Sequence, residues 1–317
     1  MLTRRIVYLS KLEAAKGTDS APVPASDLIL PNGDIVPGVP TEQDMGDGDL
    51  KGTFGPGDSV TTKQSLSTEV TTRVRGLGQG AAALLTPAIH PWLLASGHTV
   101  VTAGDGAAGG ARSAEYKPSS VEANLKSTTD YLYEDGLLYK LLGTIGPVSF
   151  DASMAALMAK STRQAKYTAP TVVALPAWAA PTQKIFRMTS ALCTVSEGGA
   201  AVNIGAFTFD PGTDVQEANE TGNLEFLVAN RNPIISIDPR AVATAAELLA
   251  LTNATSVQIV ATFTNELGET LVFTAPKCVP SEFGRGNRAG RITSAKKFSL
   301  KETAGDDQYT IKWTSVL

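Results

Sequence analysis

The chain has 317 residues, of which 43% are hydrophobic and 18% are charged, and its formal net charge is −4. This length predicts two domains, and the composition excludes an intrinsically disordered protein and a coiled coil. The negative net charge argues against a protein that binds the nucleic-acid backbone tightly, because such proteins are normally basic.

The sequence predicts neither membrane binding nor a signal peptide. No apolar run reaches the ~18 residues of a membrane span, and Lys11, Glu13 and Lys16 interrupt any hydrophobic region near the start. We therefore expect a cytosolic origin. There, Cys193 and Cys278 would be reduced structural thiols, and a disulfide is the less favoured alternative.

The first part of the chain is rich in turn signals. Residues 1–40 are predicted to form an extended N-terminal arm, because prolines and glycine turns recur from residue 17 onward and exclude a helix. Residues 42–58 carry five acidic side chains against one lysine. Alternating residues from Ser59 to Arg75 then predict a long strand.

A short helix and a hairpin are expected next. Thr86 is a candidate N-cap, Pro87 suits the first helical position, and Gly97 would end the helix. Residues 104–110 form a glycine-rich loop that lacks the Gly-Lys-Ser/Thr ending of a phosphate-binding loop. A strand is predicted over 121–126, and Glu134-Asp135-Gly136 indicates a hairpin turn.

The second part repeats this order of elements. Residues 169–182, rich in Pro, Ala and Thr, are predicted to be a linker or crossing strand. Strands are expected over 224–228, 233–238 and 256–263. Thr244 and Glu247 match a capping box that opens a short helix. A turn at 265–269 follows, and we therefore predict an internal duplication.

No residue pattern predicts catalysis, a metal site or a cofactor. The chain has two histidines, His90 and His98, and a metal site needs three or four convergent ligands. No Gly-x-Ser-x-Gly motif is present. The expected protein is therefore not an enzyme.

Charge is distributed unevenly along the chain. The interval between Arg187 and Arg231 contains acidic residues and no basic one, whereas residues 283–301 contain basic residues and no acidic one. These segments are either solvated surface or complementary contacts between copies, and such contacts would fix register during assembly. The candidate contact residues between subunits or rings are Asp210, Asp214, Glu217, Glu220, Arg285, Arg288 and Arg291.

Five segments taken in order resemble the tail tube (major tail) proteins of long-tailed bacteriophages. Residues 11–22 resemble the opening of those proteins, Pro91-Trp92-Leu93-Leu94-Ala95-Ser96-Gly97 resembles their short helix, and residues 133–151 resemble their hairpin and following strand. Residues 207–212 and 230–240 extend the resemblance into the second half. The order of these motifs is more specific than any one of them.

The resemblance implies a mainly β protein with two tandem tail-tube-type β-sandwich or barrel domains, each flanked by a short α-helix. The domains would span residues 41–168 and 183–317. In that family, strands of neighbouring subunits join around a lumen, rings stack into the tail, and DNA passes through at infection. Most members carry one domain and form six-fold rings, so three copies of a doubled chain would form one ring. A ring of six chains is the alternative.

The resemblance also implies the partners and the location. The chain would bind itself and, at the tube ends, other tail proteins, while DNA would pass through the lumen without tight binding. It would reside in the virion tail, and in the host cytoplasm during assembly.

Two other functions are weighed against this one. A glycan- or cell-surface-binding adhesin-like β-sandwich should expose aromatic clusters, but only 6% of the residues are aromatic. A hydrolase on a β scaffold would need an acid and base pair, which the sequence does not suggest.

Overall fold

A computed structural model of the chain describes residues 6–36, 41–44, 60–79, 83–104, 111–153, 155–220, 223–239, 242–288 and 290–316. Within these ranges the protein is mainly β, with 21 strands and two α-helices. Nineteen strands form one large antiparallel sheet, and the other two form a separate pair. Most of the predicted glycine loop and of the predicted acidic segment at 42–58 lies outside the described residues.

The strands fall into two groups along the chain. Those of the first half are β1 (Ile6–Leu12), β2 (Leu28–Ile29), β3 (Thr41–Asp44), β4 (Val60–Arg73), β5 (His98–Ala103), β6 (Ser113–Pro118), β7 (Thr128–Glu134), β8 (Leu137–Ile145), β9 (Val148–Ala152) and β10 (Met158–Lys166). Those that follow are β11 (Thr171–Val172), β12 (Cys193–Glu197), β13 (Ala200–Val202), β14 (Ile204–Asp210), β15 (Thr213–Glu220), β16 (Asn223–Arg231), β17 (Ile234–Pro239), β18 (Val257–Thr264), β19 (Thr270–Arg288), β20 (Arg291–Leu300) and β21 (Thr310–Thr314).

The two helices, α1 (His90–Ala95) and α2 (Ala245–Thr252), begin differently. The predicted capping box of α2 is confirmed, because Thr244 Oγ1 accepts a hydrogen bond from Glu247 N at 3.3 Å and the Glu247 carboxylate accepts one from Thr244 N at 2.7 Å. The predicted Thr86 cap of α1 is wrong. That helix begins after Ile89, without a side-chain cap, and Pro91 occupies its first turn, where a missing N–H costs nothing.

The predicted hairpin between β7 and β8 is confirmed. Asp135 and Gly136 have φ angles of +42° and +98°, and such left-handed turns match the twist of the flanking strands. The predicted strand at 121–126 is wrong, because residues Glu122–Asn124 form a turn of 3-10 helix. The Ser119 hydroxyl there accepts hydrogen bonds from Val121 N and Asn124 Nδ2, and these local bonds replace those of a ladder.

The first described strand is an interior element of the sheet. β1 pairs with β7 and β2, and Val7, Tyr8 and Leu9 are buried. The described part of the predicted N-terminal arm therefore contains two strands, β1 and β2, that are built into the fold. Residues 1–5 and 37–40 of that arm lie outside the described residues.

A buried carboxylate holds the turn after β1 in place. Glu13 is 7% exposed, and its two oxygens accept hydrogen bonds from Gly17 N, Ser127 Oγ, Thr129 Oγ1 and Gly143 N at 2.6–3.0 Å. Because every bond to the carboxylate comes from this chain, the burial of its charge is compensated. This segment is thereby fixed to β7 and β8.

Strands from the two halves of the chain pair directly. Phe150 of β9 lies opposite Phe209 of β14, and Tyr116 of β6 lies opposite Ile311 of β21. Both halves also contribute to the main hydrophobic core, where the rings of Phe150 and Phe209 stack with centroids 6.2 Å apart. The two-domain organisation therefore stays a prediction.

An ion pair lies at the centre of the sheet. The side chains of Asp130 and Arg163 are both 0% exposed, and Nε of the arginine is 3.0 Å from the carboxylate. The hydroxyls of Tyr8 and Ser10 donate to the same carboxylate at 2.6 Å, and Arg163 also bonds to Thr128. This network links β1, β7 and β10, which are far apart in the sequence.

The remaining sequence predictions concern the cysteines and the crossing segment. Cys193 is half-buried and Cys278 is buried, and both are free thiols, as predicted. Burial raises the pKa of Cys193 to about 11 and that of Cys278 to about 12. β11 pairs with β8, and Leu175 packs on a second hydrophobic cluster around Tyr131, which is consistent with the predicted crossing of residues 169–182.

Candidate assembly surfaces

The acidic arm, residues 210–231, is a hairpin that continues the β14–β17 pair beyond the large sheet. Among the described residues, β15 pairs only with β16, and the two form a sheet of their own. The chain bends between Asp210 and Thr213. The sequence Asp210-Pro211-Gly212-Thr213-Asp214 predicts either the tip or the shoulder of a long hairpin, and the structure shows the shoulder.

The base of the acidic arm is held by close backbone contacts. Gly212 has a φ of +58°, and a Cβ at this position would lie 2.0 Å from the carbonyl oxygen of Asn232. Thr213 Oγ1 donates to Ser96 O at 3.2 Å, and Nη2 of Arg231 donates to Gly97 O at 2.8 Å. The arm therefore leaves the fold in a defined direction.

A second contact holds the middle of the acidic arm. Phe226 is buried, and its carbonyl oxygen accepts a hydrogen bond from Lys16 Nζ at 2.8 Å. The same ammonium group lies 2.9 Å from the Glu225 carboxylate. Glu225, which the sequence places in the acidic interval, is therefore neutralised within its own chain.

The predicted acidic contact residues differ in their accessibility. Asp210 and Asp214 are exposed, and among the described residues their carboxylates accept hydrogen bonds from their own arm, from Gly212 N at 2.8 Å and Gln216 Nε2 at 3.2 Å. Glu217 is half-buried and lies opposite the buried Phe226, and Glu220 ends β15. Among the side chains of the arm whose burial the structure describes, the two aspartates are the fully exposed acidic groups.

The basic arm, residues 282–295, is a second hairpin that leaves the sheet. In this part of the described chain, β19 and β20 pair only with each other, because β18, β21 and β17 pair with other portions of these strands. The outer edges of both strands therefore carry unpaired backbone groups, which can pair with another chain.

The three predicted arginines lie on the basic arm. Arg285 and Arg291 are exposed, and Arg288 lies opposite Arg291 at the end of the hairpin. Because Arg285 lies opposite Ser294, three residues from Arg291, these two arginines point to opposite faces of the arm. The arm thus presents positive charge on both faces.

Lys296, which the sequence places in the basic run, is not a surface charge. It is 4% exposed, and its ammonium group lies 2.7 Å from Glu197 and also contacts Glu247. Both partners lie far away in the sequence, so no local pattern could have revealed this pairing. The Lys296 contact also lowers the pKa of Glu247 against the opposing effect of burial.

The two histidines have separate structural roles. His90 Nδ1 lies 2.8 Å from the Tyr116 hydroxyl. His98 is fully buried, and its ring nitrogens lie 2.8 Å from Tyr309 Oη and 2.9 Å from both Leu93 O and Ser96 Oγ. Burial lowers the pKa of His90 to about 4 and that of His98 to about 3.

The low pKa of His98 should make the protein less stable as the pH falls. Between pH 6.5 and pH 5, an unfolded chain protonates this histidine and the folded chain does not, so protonation favours unfolding. We expect the free energy of unfolding to fall by about 2 kcal/mol from this group across that window. Urea unfolding should show that the free energy of unfolding falls less between pH 6.5 and pH 5 for His98→Gln than for the wild-type protein. An equal fall for both proteins would contradict the prediction.

The described residues show no arrangement typical of a metal site or a membrane helix. Across these ranges, no three His, Cys, Asp or Glu side chains are placed to share an ion. Neither α1 nor α2, the two helices of the described chain, has the length and hydrophobicity needed to cross a bilayer.

No protein-family model and no curated protein sequence matches this chain.

Proposed function

We propose that this chain is a structural, non-enzymatic subunit that assembles with copies of itself into stacked rings, forming the tail tube of a long-tailed bacteriophage. The observation that carries the proposal is the pair of hairpins of opposite charge, the acidic arm and the basic arm. The ordered motifs that resemble tail tube proteins supply the identity of the assembly.

The charges of the two arms suit a contact between copies. Asp210 and Asp214 have no ion pair within the described chain, and the same is true of Arg285 and Arg291. A contact between the acidic arm of one copy and the basic arm of the next is heterologous, so it generates a ring or a stack and not a closed pair. Complementary charge would steer the encounter and fix its register.

The open strand edges support the same proposal. An edge with unpaired N–H and C=O groups adds strands from another chain, and an isolated protein normally protects such an edge. The basic arm has two such edges, and β5, which pairs only with β6 among the described strands, has another. In the proposed tube these edges would join subunits around the lumen.

The domain organisation and the number of chains per ring form part of the proposal. We propose two tandem tail-tube-type β-sandwich or barrel domains at 41–168 and 183–317, each with its helix, so that three chains give a pseudo-six-fold ring. The two helices pack differently, since α1 is largely buried and no residue of α2 is buried. A duplicated chain with diverged halves would account for this difference.

The proposed location is the virion tail, and the host cytoplasm during assembly. Other tail proteins would cap the tube ends, and DNA would pass through the lumen. A net charge of −4 suits that passage, because a basic lining would hold the phosphate backbone.

Electron microscopy of negatively stained purified protein tests the proposal directly. We expect rings or tubes of uniform bore, and native mass measurement of single rings should give three chains. Six chains per ring would overturn the stoichiometry and leave the function intact. Monodisperse monomers at high protein concentration would contradict the function itself.

A further inference from the structure

Outside the two arms, two segments of the described chain each expose three large apolar side chains. One is the helix surface, made of Val242, Leu248 and Leu249, which are 49%, 48% and 59% exposed. The other is the crossing segment, residues 169–182, where Val172, Val173 and Trp178 are 88%, 36% and 45% exposed. Grouped apolar side chains on a soluble surface mark sites of interaction.

The helix surface is unusual for an element so rich in leucine. α2 has the sequence Ala-Ala-Glu-Leu-Leu-Ala-Leu-Thr, and none of its residues is buried. A helix that is apolar around most of its circumference is normally covered on more than one side. In the isolated chain α2 is instead attached by polar contacts, from Glu247 to Lys296 and from Ala243 N to Ser294 Oγ at 3.0 Å.

These polar contacts place the helix surface beside the basic arm. Ser294 belongs to the basic arm, and Ile292, two residues earlier on the same face of β20, is 52% exposed. Whatever contacts the basic arm therefore extends onto α2. Under the proposed function that neighbour is a second copy of this chain.

The crossing segment has the properties of a matching partner. It contains no charged residue over 169–182, in a chain that is 18% charged overall. It is extended, attached to the fold through β11 and Leu175, and exposes most of its other side chains. The helix surface is also nearly neutral, because Glu247 is paired with Lys296.

We propose that the crossing segment of one copy lies across the helix surface of a neighbouring copy in the assembled tube. This inference rests on the proposed function and adds an apolar contact to the charged contact of the arms. Contact between two copies of the helix surface would be isologous and would close a dimer, whereas contact between two different surfaces propagates. The pairing also covers the exposed apolar side chains of both segments at once.

Cross-linking of differently tagged chains tests this pairing. In a Cys193→Ser background, chains with Val172→Cys are mixed with chains with Leu249→Cys, allowed to assemble, and treated with a short bis-maleimide. We expect a covalent heterodimer of the two tags. Val23→Cys, in the connection between β1 and β2, is 47% exposed and lies outside the proposed contact surfaces, so it is the matched control for Val172→Cys and should give little product.

The outcomes separate this inference from the proposed function. Tubes that form without the 172–249 product, or chains with Leu249→Cys alone that cross-link to one another, would overturn the inference while the tube function stands. Wild-type protein that never assembles would overturn the function. As an independent measurement, Leu249→Glu should raise the protein concentration needed for assembly about tenfold, and an unchanged concentration would count against the pairing.

Discussion

Replacing Arg163 with methionine should lower the free energy of unfolding by about 3–5 kcal/mol. The substitution keeps much of the side-chain volume but leaves the Asp130 carboxylate charged and without its cation in a fully buried site. Removal of one partner of a buried pair is costly because the remaining charge has lost both water and its counter-ion. Urea unfolding at neutral pH, followed by circular dichroism, measures the loss.

Lys160 supplies a matched control on the same strand. Its side chain is 50% exposed and pairs with Glu69, which is 57% exposed, at 2.9 Å. Lys160→Met should change stability by less than about 0.5 kcal/mol, because water screens an exposed pair.

The double variant Arg163→Met with Asp130→Asn keeps the prediction testable if the single variant does not fold. It removes the uncompensated charge and should be more stable than Arg163→Met alone. Equal decreases in the free energy of unfolding for Arg163→Met and Lys160→Met would contradict the prediction that the buried pair contributes more than the exposed one.

Reversing the charge of the basic arm should prevent assembly. Arg285→Glu with Arg291→Glu would place negative charge against the acidic arm of the neighbouring copy. Repulsion of this kind costs several kcal/mol, so the concentration needed for assembly should rise about a hundredfold. The defect should be greatest at low salt, where screening is weakest. Light scattering and electron microscopy across a salt series measure both effects.

A charge swap separates a specific contact from a general effect of net charge. Chains with Asp210→Lys and Asp214→Lys should fail to assemble alone and should form mixed complexes with the reversed basic-arm variant. Lys117→Glu with Lys126→Glu changes the net charge by the same amount at exposed sites elsewhere and should assemble normally. Assembly by the basic-arm variant alone, or the absence of mixed complexes after mixing, would contradict a complementary contact between the two arms.

The features that could be predicted from the sequence are those that depend on residues close together in the chain. The turn at Asp135-Gly136 depends on left-handed backbone angles that these residues accept readily, and the capping box of α2 depends on two residues three positions apart. The tip or shoulder of a hairpin at 210–214 could be predicted because its turn residues are also neighbours in the sequence. Local prediction failed at Thr86 and at 121–126, where prolines and competing side-chain hydrogen bonds moved the element boundaries.

The mainly β character of the chain, the long strand β4 and the positions of the two charged segments follow from the sequence alone, because alternation, turn residues and charge are read from neighbouring residues. That the basic segment forms a hairpin was not predicted. Only the tertiary structure decided that β1 lies inside the sheet, that Arg163 meets Asp130, and that Lys296 is neutralised by Glu197 and Glu247. These contacts join residues 33 to more than 120 positions apart, and nothing local distinguishes a lysine or arginine that will be buried from one that stays in water. Only the folded structure therefore shows which charged side chains are accessible to another copy of the chain.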